Sequence, residues 1–265
     1  MTGTSNKSDP SIENFFRKIA FQHEIGSAVT FDCWGTLLFQ KDPTSVYKQR
    51  IDALQRATNK HGVHESRTHI RLALDHAWRK HWKKLHESIH SGPIEISCWA
   101  LEEFSINDSN TSSQLASEFI EIAVESDIAV LESAGATLEL LASAGIHRAL
   151  ICDTGFCPGA GVRAILQQVG LLDLLEVQIF SDEIGVPKPH ATMFRAALDP
   201  LKVLPSESVH VGDMLRTDIA GAREVGMGTI RIRDQHDDLS DQPEADAVAD
   251  DHVHLREILD IESIK

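Results

Sequence analysis

The sequence contains the segment Val29-Thr30-Phe31-Asp32-Cys33-Trp34-Gly35-Thr36-Leu37-Leu38. Its first residues are β-branched and aromatic, the run stops at a carboxylate, and Gly-Thr follows, which predicts a buried strand that ends in a tight turn. Ligands of open parallel sheets bind in the crevice outside the carboxyl ends of the strands. We therefore expect Asp32 to point into such a crevice, although an Asp shortly before a Gly is, taken alone, more often a turn residue.

A long helical region follows Leu38. Apolar residues recur at helical spacing, without an intervening strand pattern, near residues 43–61, 65–90, 94–104 and 113–124. Pro43 near the start of the first of these helices and Gly62 just past its end are typical of helix boundaries. We interpret residues 41–127 as an inserted helical domain. A further amphipathic helix is expected over residues 12–20, before the first strand.

The remainder of the chain alternates between strand and helix patterns. Short apolar runs that stop at small polar residues or glycine predict strands at 149–152, 177–180, 208–211 and 229–232, with a short one at 247–248. Strands that alternate with helices form β-α-β units. The sequence therefore predicts an α/β fold, in which a doubly wound, parallel, Rossmann-like sheet carries an inserted α-helical cap. The core is expected to comprise residues 1–40 and 128–265, and the cap residues 41–127.

Composition excludes two classes of partner. The 265 residues carry a formal net charge of −15, with 42% hydrophobic and 25% charged residues. Such an acidic chain is a poor match for nucleic acid or for an anionic membrane surface, since both require clustered Lys and Arg. The four cysteines are sparse and fit no C-x-x-C spacing, and no apolar run predicts a signal peptide or a membrane span, so a cytoplasmic location is expected.

Polar residues suited to one site follow several of the predicted strands. They are Asp32, Thr154 with Gly155, Lys188, and Asp213 with Asp218 five residues beyond. The pattern resembles the haloacid dehalogenase-like hydrolase superfamily, whose phosphatases combine a nucleophilic Asp in D-x-D-G-T, a Ser or Thr after an apolar strand, a Lys often in K-P-x-P, and an acidic pair such as G-D-x-x-x-x-D. The matching segments here are Asp32-Cys33-Trp34-Gly35-Thr36, Thr154-Gly155, Lys188-Pro189 and Gly212-Asp213-Met214-Leu215-Arg216-Thr217-Asp218. Ala191 stands where the second Pro of the third motif often falls.

The resemblance implies a phosphatase-type member with a helical cap. A carboxylate nucleophile divides hydrolysis into two easier steps, and Mg²⁺ suits carboxylate ligands and a substrate phosphate. The resemblance then assigns Asp32, Asp213 and the Trp34 main-chain carbonyl to Mg²⁺. Thr154 and Gly155 would bind the phosphoryl group of a small anionic substrate, and Lys188 would offset the charge that accumulates during attack. Asp218 would hold Lys188, take part in metal binding through a water molecule, or cap a helix.

One position departs from the phosphatase pattern. The superfamily's phosphatases carry a second Asp two residues after the nucleophile, as an acid and then a base, and this position is Trp34 here. Dehalogenases of the same superfamily have an aromatic residue there, because a halide leaves without a proton. The sequence therefore retains three hypotheses: a Mg²⁺-dependent phosphohydrolase, which the acidic Asp213 favours, a metal-free 2-haloacid dehalogenase, and a catalytically weak binding protein. It names neither a substrate nor an oligomeric state.

The second cap helix is unusually basic for an acidic chain. Residues 67–84 carry six basic residues against Asp75, namely Arg67, Arg71, Arg79, Lys80, Lys83 and Lys84. They would either steer an anionic substrate towards the crevice or form a solvated helix face opposite the apolar residues.

Overall fold

A computed structural model of the chain describes residues 27–261, and the helix expected over 12–20 lies outside this range. The strands are β1 (Ala28–Phe31), β2 (Leu38–Gln40), β3 (Ile128–Val130), β4 (His147–Cys152), β5 (Val177–Phe180), β6 (Ser208–Gly212), β7 (Gly228–Ile232) and β8 (Ala247–Ala249). The helices are α1 (Pro43–Lys60), α2 (Arg67–His86), α3 (Pro93–Glu102), α4 (Ser109–Val124), α5 (Ala134–Ser143), α6 (Gly159–Gln168), α7 (Ser181–Ile184), α8 (Ala191–Leu198), α9 (Ala220–Val225) and α10 (His252–Leu259). None of the helices in the described range is long and apolar enough to cross a bilayer.

Six parallel strands form the main sheet, in the order β5-β4-β1-β6-β7-β8. β1 lies in the middle, with β4 on one side and β6 on the other. The order reverses direction at β1, and in open α/β sheets ligands bind at such a switch point. The α/β fold with a parallel Rossmann-like sheet is thus confirmed.

The two faces of the sheet bury alternate residues of the same strand. Val29 and Phe31 of β1 belong to the larger hydrophobic cluster, together with apolar residues of α5, α6 and α10. Ala28 belongs to a second cluster, which includes residues of α8 and α9. Side chains of a strand point alternately to opposite faces, so helices cover both sides of β1 and all four of its residues are buried. This explains why the strand does not alternate between apolar residues and exposed polar ones; its one polar residue, Thr30, is buried as well.

We propose that α1 to α4 form the cap, and a two-stranded antiparallel ribbon, β2 and β3, lies between these helices and the rest of the chain. β2 leads into the cap and β3 leads out of it, and the two strands pair with each other. A hydrogen bond from the Lys41 backbone N–H to the Asp127 carbonyl oxygen (3.0 Å) extends the ribbon by one residue. The cap boundaries that we propose from the sequence, 41 and 127, adjoin this ribbon. The ribbon itself was not predicted, because each of its strands has only three residues.

Short polar side chains fix where the cap helices begin. The Asp42 carboxylate accepts a hydrogen bond from the Ser45 backbone N–H (2.8 Å) before Pro43 opens α1. Asp108 does the same for the N–H of Thr111 (2.8 Å) at the start of α4. Such caps satisfy backbone donors that a helix leaves without partners. The N-cap hydrogen bond at Asp108 places the start of α4 at Ser109, four residues before the helical segment that periodicity indicated.

Candidate active site

The sheet order brings the predicted site residues together. Asp32 follows β1, Thr154 follows the neighbouring β4, and Asp213 follows β6 on the other side. Lys188 lies in the loop before α8, and Asp218 lies in a π-helical turn that precedes α9. All five side chains are buried. Residues from widely separated parts of the chain therefore meet at the carboxyl edge of three adjacent strands.

Lys188 connects two of the carboxylates directly. Its Nζ atom donates hydrogen bonds to Asp32 Oδ1 (2.5 Å), Asp218 Oδ1 (2.6 Å) and the Ile151 carbonyl oxygen (2.9 Å). The three donors of an ammonium group are thereby all used. Of the roles expected for Asp218, the contact with Lys188 is present in the structure. Its Oδ2 atom accepts a hydrogen bond from the Met214 backbone N–H (3.0 Å), but Asp218 lies inside the π-helical turn and is not the N-cap residue of that turn or of α9.

The Lys188–Asp218 pair is ionised despite its burial. Burial disfavours a charged Lys188, but the carboxylates of Asp218 and Asp32 outweigh this effect and raise its pKa well above the ordinary value. Burial likewise disfavours the Asp218 carboxylate, but Lys188 outweighs it and lowers the pKa of Asp218 to about 2. Lys188 is therefore a fixed positive charge beside Asp32.

Asp32 and Asp213 are neighbouring buried acids that do not readily ionise together. One carboxylate oxygen from each of Asp32, Asp213 and Asp218 lies within 4.8 Å of the others. Burial raises the pKa of Asp32 to about 6, although Lys188 opposes the shift. Burial, followed by repulsion from Asp32, raises the pKa of Asp213 to about 8. Two neighbouring buried carboxylates of this kind resist joint ionisation unless a cation lies between them.

The turn after Asp32 approaches Asp213 closely. Gly35 has a φ of +77°, and a Cβ atom at this position would lie 2.7 Å from Asp213 Oδ2. Only glycine fits both the left-handed backbone and this short distance. In the described chain, no backbone hydrogen bond of the turn ends on the Trp34 carbonyl oxygen. This oxygen remains available as the third ligand that the resemblance implies, while the Trp34 side chain packs against the main core.

Thr154 already has protein partners. Its hydroxyl donates a hydrogen bond to Asp182 Oδ1 (3.0 Å), and its backbone N–H donates to Ser181 Oγ (2.9 Å). Asp182 Oδ1 also accepts the N–H of Gly159 (3.1 Å) at the start of α6. The predicted donation from the Thr154 hydroxyl to a phosphoryl oxygen therefore requires the hydroxyl to exchange Asp182 for the substrate.

Three residues of the site, of which Thr30 and His210 are fully buried and Asp153 is partly exposed, were not singled out from the sequence. Asp153 Oδ1 accepts the backbone N–H of Lys188 (2.9 Å) and so fixes the loop that carries the lysine. His210 Nε2 lies 3.3 Å from Asp218 Oδ1, and its Nδ1 lies 2.8 Å from Thr30 Oγ1. Burial lowers the pKa of His210, so the neutral ring donates to Asp218 and accepts from Thr30. The sequence offered one signal for two of these residues. A histidine and a threonine inside strands that are otherwise apolar indicate buried polar groups, which need hydrogen-bond partners.

The cap contacts the site at Gly155. A Cβ atom on Gly155 would lie 2.9 Å from His81 Nε2 and 3.0 Å from the ring of Trp78, both on α2. The next residue, Phe156, inserts into the hydrophobic cluster of the cap. The segment Thr154-Gly155-Phe156 therefore joins the phosphate-binding candidates to the cap.

Comparison with known protein families agrees with this geometry. The family model described as haloacid dehalogenase-like hydrolase matches residues 27–226, which is more than half of the chain. A glyceraldehyde 3-phosphate phosphatase from Methanopyrus kandleri is 37% identical over 97 residues, which are 36% of this chain and 42% of that protein. The chain thus matches less than half the length of this relative.

Solved structures share the fold over nearly the whole chain. A HAD phosphatase from Thermococcus onnurineus superposes with a TM-score of 0.61 at 24% identity, covering 88% of this chain and 97% of that one. A 2-haloacid dehalogenase from Pseudomonas syringae pv. Tomato gives a TM-score of 0.60 at 25% identity, with 89% and 99% covered. Fold similarity alone does not separate the two activities, so the separation rests on the side chains of the site.

Proposed function

The chain belongs to the haloacid dehalogenase-like hydrolase family, and on this premise we propose that it is a Mg²⁺-dependent phosphohydrolase that acts on a small phosphorylated metabolite through a phosphorylated Asp32. The observation that carries the proposal is the pairing of Asp32 with Asp213, with ligand oxygens within 4.8 Å. A phosphate dianion would be repelled by this pair unless a cation accompanies it. A cytoplasmic location is part of the proposal, since all four cysteines are free thiols.

The residues present fit a magnesium ion. Carboxylate and carbonyl oxygens are the ligands that Mg²⁺ prefers, and Asp32, Asp213 and the Trp34 carbonyl would hold it. The pKa values of Asp32 and Asp213, which burial raises, are those of two acids whose combined charge the protein offsets only in part, through Lys188 at Asp32. Lys188 donates no hydrogen bond to Asp213, because all three of its donors go elsewhere. Mg²⁺, when bound, supplies neutralisation of these acids and of the substrate phosphate.

The side chains account for both steps of the reaction. Lys188 occupies Asp32 Oδ1, so we assign the attack on phosphorus to Oδ2, which forms an acyl phosphate as the alcohol oxygen leaves with the bonding pair. Lys188 offsets the charge that develops on the phosphoryl oxygens, and Thr154 and Gly155 bind one of them. Water then attacks the same phosphorus, the bond to Asp32 Oδ2 breaks, inorganic phosphate departs with both protons of that water, and the Asp32 carboxylate is restored. The leaving oxygen receives no proton from Trp34, which favours leaving groups of low basicity.

The dehalogenase hypothesis shares the nucleophile but not the surroundings. Trp34 suits it, because a departing halide needs no proton. Asp213 opposes it, because its ionised form beside Asp32 would repel the carboxylate of a 2-haloacid, and its protonated form, which the raised pKa favours without a metal, has no role in the release of a halide. The binding-only hypothesis requires that the missing acid stop turnover altogether. It predicts neither reaction, and it predicts that Asp32→Asn binds the ligand with unchanged affinity.

A paired assay tests the proposal. The purified protein is given an activated aryl phosphate, with Mg²⁺ or with a chelator, and separately a 2-haloacid under both conditions. We expect phosphate release that depends on Mg²⁺ and is lost in Asp213→Asn but retained in Asp241→Asn, which removes an exposed acid. Halide release in the presence of chelator would establish the dehalogenase instead, and an absence of both reactions would favour the binding protein.

A further inference from the structure

A cation of the cap lacks any counter-charge. Arg50 lies on α1, and within residues 27–261 its guanidinium forms no ion pair and its Nε atom is buried without a hydrogen-bond partner. Its Cζ atom lies 4.1 Å from the centre of the Phe156 ring. Burial lowers the pKa of Arg50 to about 10, so the group is still charged at neutral pH. Arg50 as a whole is partly exposed, but a charged group with a buried N–H that lacks a partner is costly.

Other basic residues of the cap do not share this situation. Arg56, one and a half turns further along α1, pairs with Glu118 (2.7 Å). On the basic helix α2, Arg71 pairs with Asp75 (2.9 Å) and Lys80 with Glu102 (3.7 Å). These side chains are part of a solvated, neutralised surface. Lys80 also lies over an aromatic ring, that of Trp99, but it has a carboxylate partner. Arg50, which the charge pattern of the sequence did not indicate, is different because it faces an aromatic ring without such a partner and its Nε atom is buried.

The aromatic neighbours connect Arg50 to the site. Phe156 stacks on Trp78 with ring centres 4.7 Å apart, and Trp78 stacks on His81 at the same distance. His81 and Trp78 are the cap residues that lie against Gly155. The four planar groups therefore form one stacked column, with His81 and Trp78 beside Gly155 and with Arg50 at the other end, against Phe156, which is two residues after Thr154. A guanidinium stacked on an aromatic ring keeps its plane fixed and its N–H groups free for a planar anion.

We propose that Arg50 binds a second anionic group of the substrate, so that the substrate class is phosphate monoesters that also carry a carboxylate or a second phosphate. This rests on the proposed function for the first phosphate and adds the requirement for a second anion. The cap surface at Arg50 selects the substrate, because the core site recognises only the phosphoryl group. The unpaired N–H groups of Arg50 gain their hydrogen bonds when the substrate binds.

Matched esters test this inference by binding alone. Asp32→Asn removes the nucleophile, and calorimetry in Mg²⁺ compares phosphate monoesters of ω-hydroxycarboxylic acids of two to five carbons with diol monophosphates of the same lengths. At the best length we expect the carboxylate ester to bind about 10- to 100-fold more tightly, the effect of one charged hydrogen-bonded pair. The same comparison with bisphosphates identifies which anion is preferred. This first comparison uses protein in which Arg50 is intact. If that protein shows no preference for esters with a second anion, the proposal is overturned.

Variants at Arg50 locate the effect. Adding Arg50→Met to the Asp32→Asn protein should reduce the preference to less than about threefold, and Arg56→Met, on the same helix, should leave it intact. Arg50→Gln gives the same comparison if the methionine variant unfolds. An equal preference in all of these proteins would place the second anion elsewhere and contradict the proposal.

Turnover by the unaltered protein separates this inference from the proposed function. Hydrolysis of both ester series at equal kcat/KM would retain the phosphatase and overturn the role of Arg50. A binding preference that depends on Arg50, without hydrolysis of any ester, would retain the anion site and overturn the phosphatase.

Discussion

The Nζ atom of Lys188 lies 2.5 Å from the Oδ1 atom of Asp32, and both side chains are almost completely buried. The lysine is held at the same time by Asp218, whose Oδ1 lies 2.6 Å away. In this arrangement Asp218 fixes the cation, and the cation in turn fixes one oxygen of the nucleophile. The Lys188–Asp218 ion pair makes no contact with Asp32 Oδ2, the oxygen to which we assign attack. It nevertheless fixes the position of this oxygen, because Lys188 holds Oδ1 of the same carboxylate.

Replacement of Lys188 by methionine tests this dependence. Removing one partner of a buried ion pair leaves the other charges uncompensated, which typically costs about 3–5 kcal/mol. We expect Lys188→Met to lower the free energy of unfolding by that amount in urea titrations and to abolish phosphate release. Lys41→Met is the control, because its partner Asp127 lies at a similar distance (2.9 Å) but both side chains are more than half exposed, and its loss should cost less than about 1 kcal/mol. Equal costs for the two variants would show that burial of the pair has no effect.

Two glycine substitutions isolate the contact between the first turn and Asp213. Gly35 and Gly62 have nearly the same φ, +77° and +73°, but only Gly35 has an atom within reach of an added Cβ, namely Asp213 Oδ2 at 2.7 Å. Backbone strain of about 1–2 kcal/mol is expected for alanine at either position. Gly35→Ala should also displace Asp213 and remove most of the rise in Tm that Mg²⁺ produces, whereas Gly62→Ala should retain it. The account is contradicted if Mg²⁺ stabilises both variants equally.

Trp34→Asp restores a carboxyl group at the position where phosphatases of the family carry one. General acid catalysis typically contributes about 10²–10⁴-fold and matters most when the leaving group is basic. We expect kcat/KM to rise more for an alkyl phosphate than for an aryl phosphate, by at least about tenfold in the ratio. Trp34→Phe controls for the change in size. Equal gains for the two substrates would mean that Trp34 affects the site through its shape.

His81 predicts how stability depends on pH. Burial lowers the pKa of His81 to about 4, from an ordinary value of 6.5. Between these values the unfolded chain binds a proton that the folded chain does not, so stability is complete above pH 6.5 and is lost as the pH falls towards 4. The loss at pH 5 is about 2 kcal/mol.

Denaturant titrations at pH 7 and pH 5 provide the measurement. His81→Gln should reduce the loss between the two pH values by about that amount, and His76→Gln, whose side chain on the same helix is 63% exposed, is the control for removing an imidazole. A His81→Gln protein that loses as much stability as the unaltered one would contradict the argument.

The sequence was informative where a residue's role depends on its position along one strand. The apolar runs that stop at Asp32, Thr154 and Asp213 predicted three strand ends, and parallel strands necessarily present such ends at one edge of the sheet. The strands and the residues that follow them could therefore be assigned without coordinates. Lys188 lies in a loop, so no strand pattern indicated it. It was identified only because Lys188-Pro189 matches the third motif of the family.

Contacts between distant segments were not predictable in the same way. Thr30 and His210 are 180 positions apart and meet only because β1 pairs with β6. The ribbon of β2 and β3 joins residues on both sides of the whole cap, and no local pattern encodes such a pairing. Arg50 shows the same limit, because helical periodicity does not reveal whether a cation will meet a carboxylate or an aromatic ring.

The most direct test of the central claim is to detect phosphate on Asp32. The protein is mixed with a ³²P-labelled aryl phosphate in Mg²⁺ and quenched with acid within milliseconds, and the labelled peptide is sequenced. We predict label on the peptide that contains Asp32, in amounts that fall with added chelator and vanish in Asp32→Asn. Steady release of phosphate in Asp32→Asn, or turnover without label on this peptide, would contradict the account.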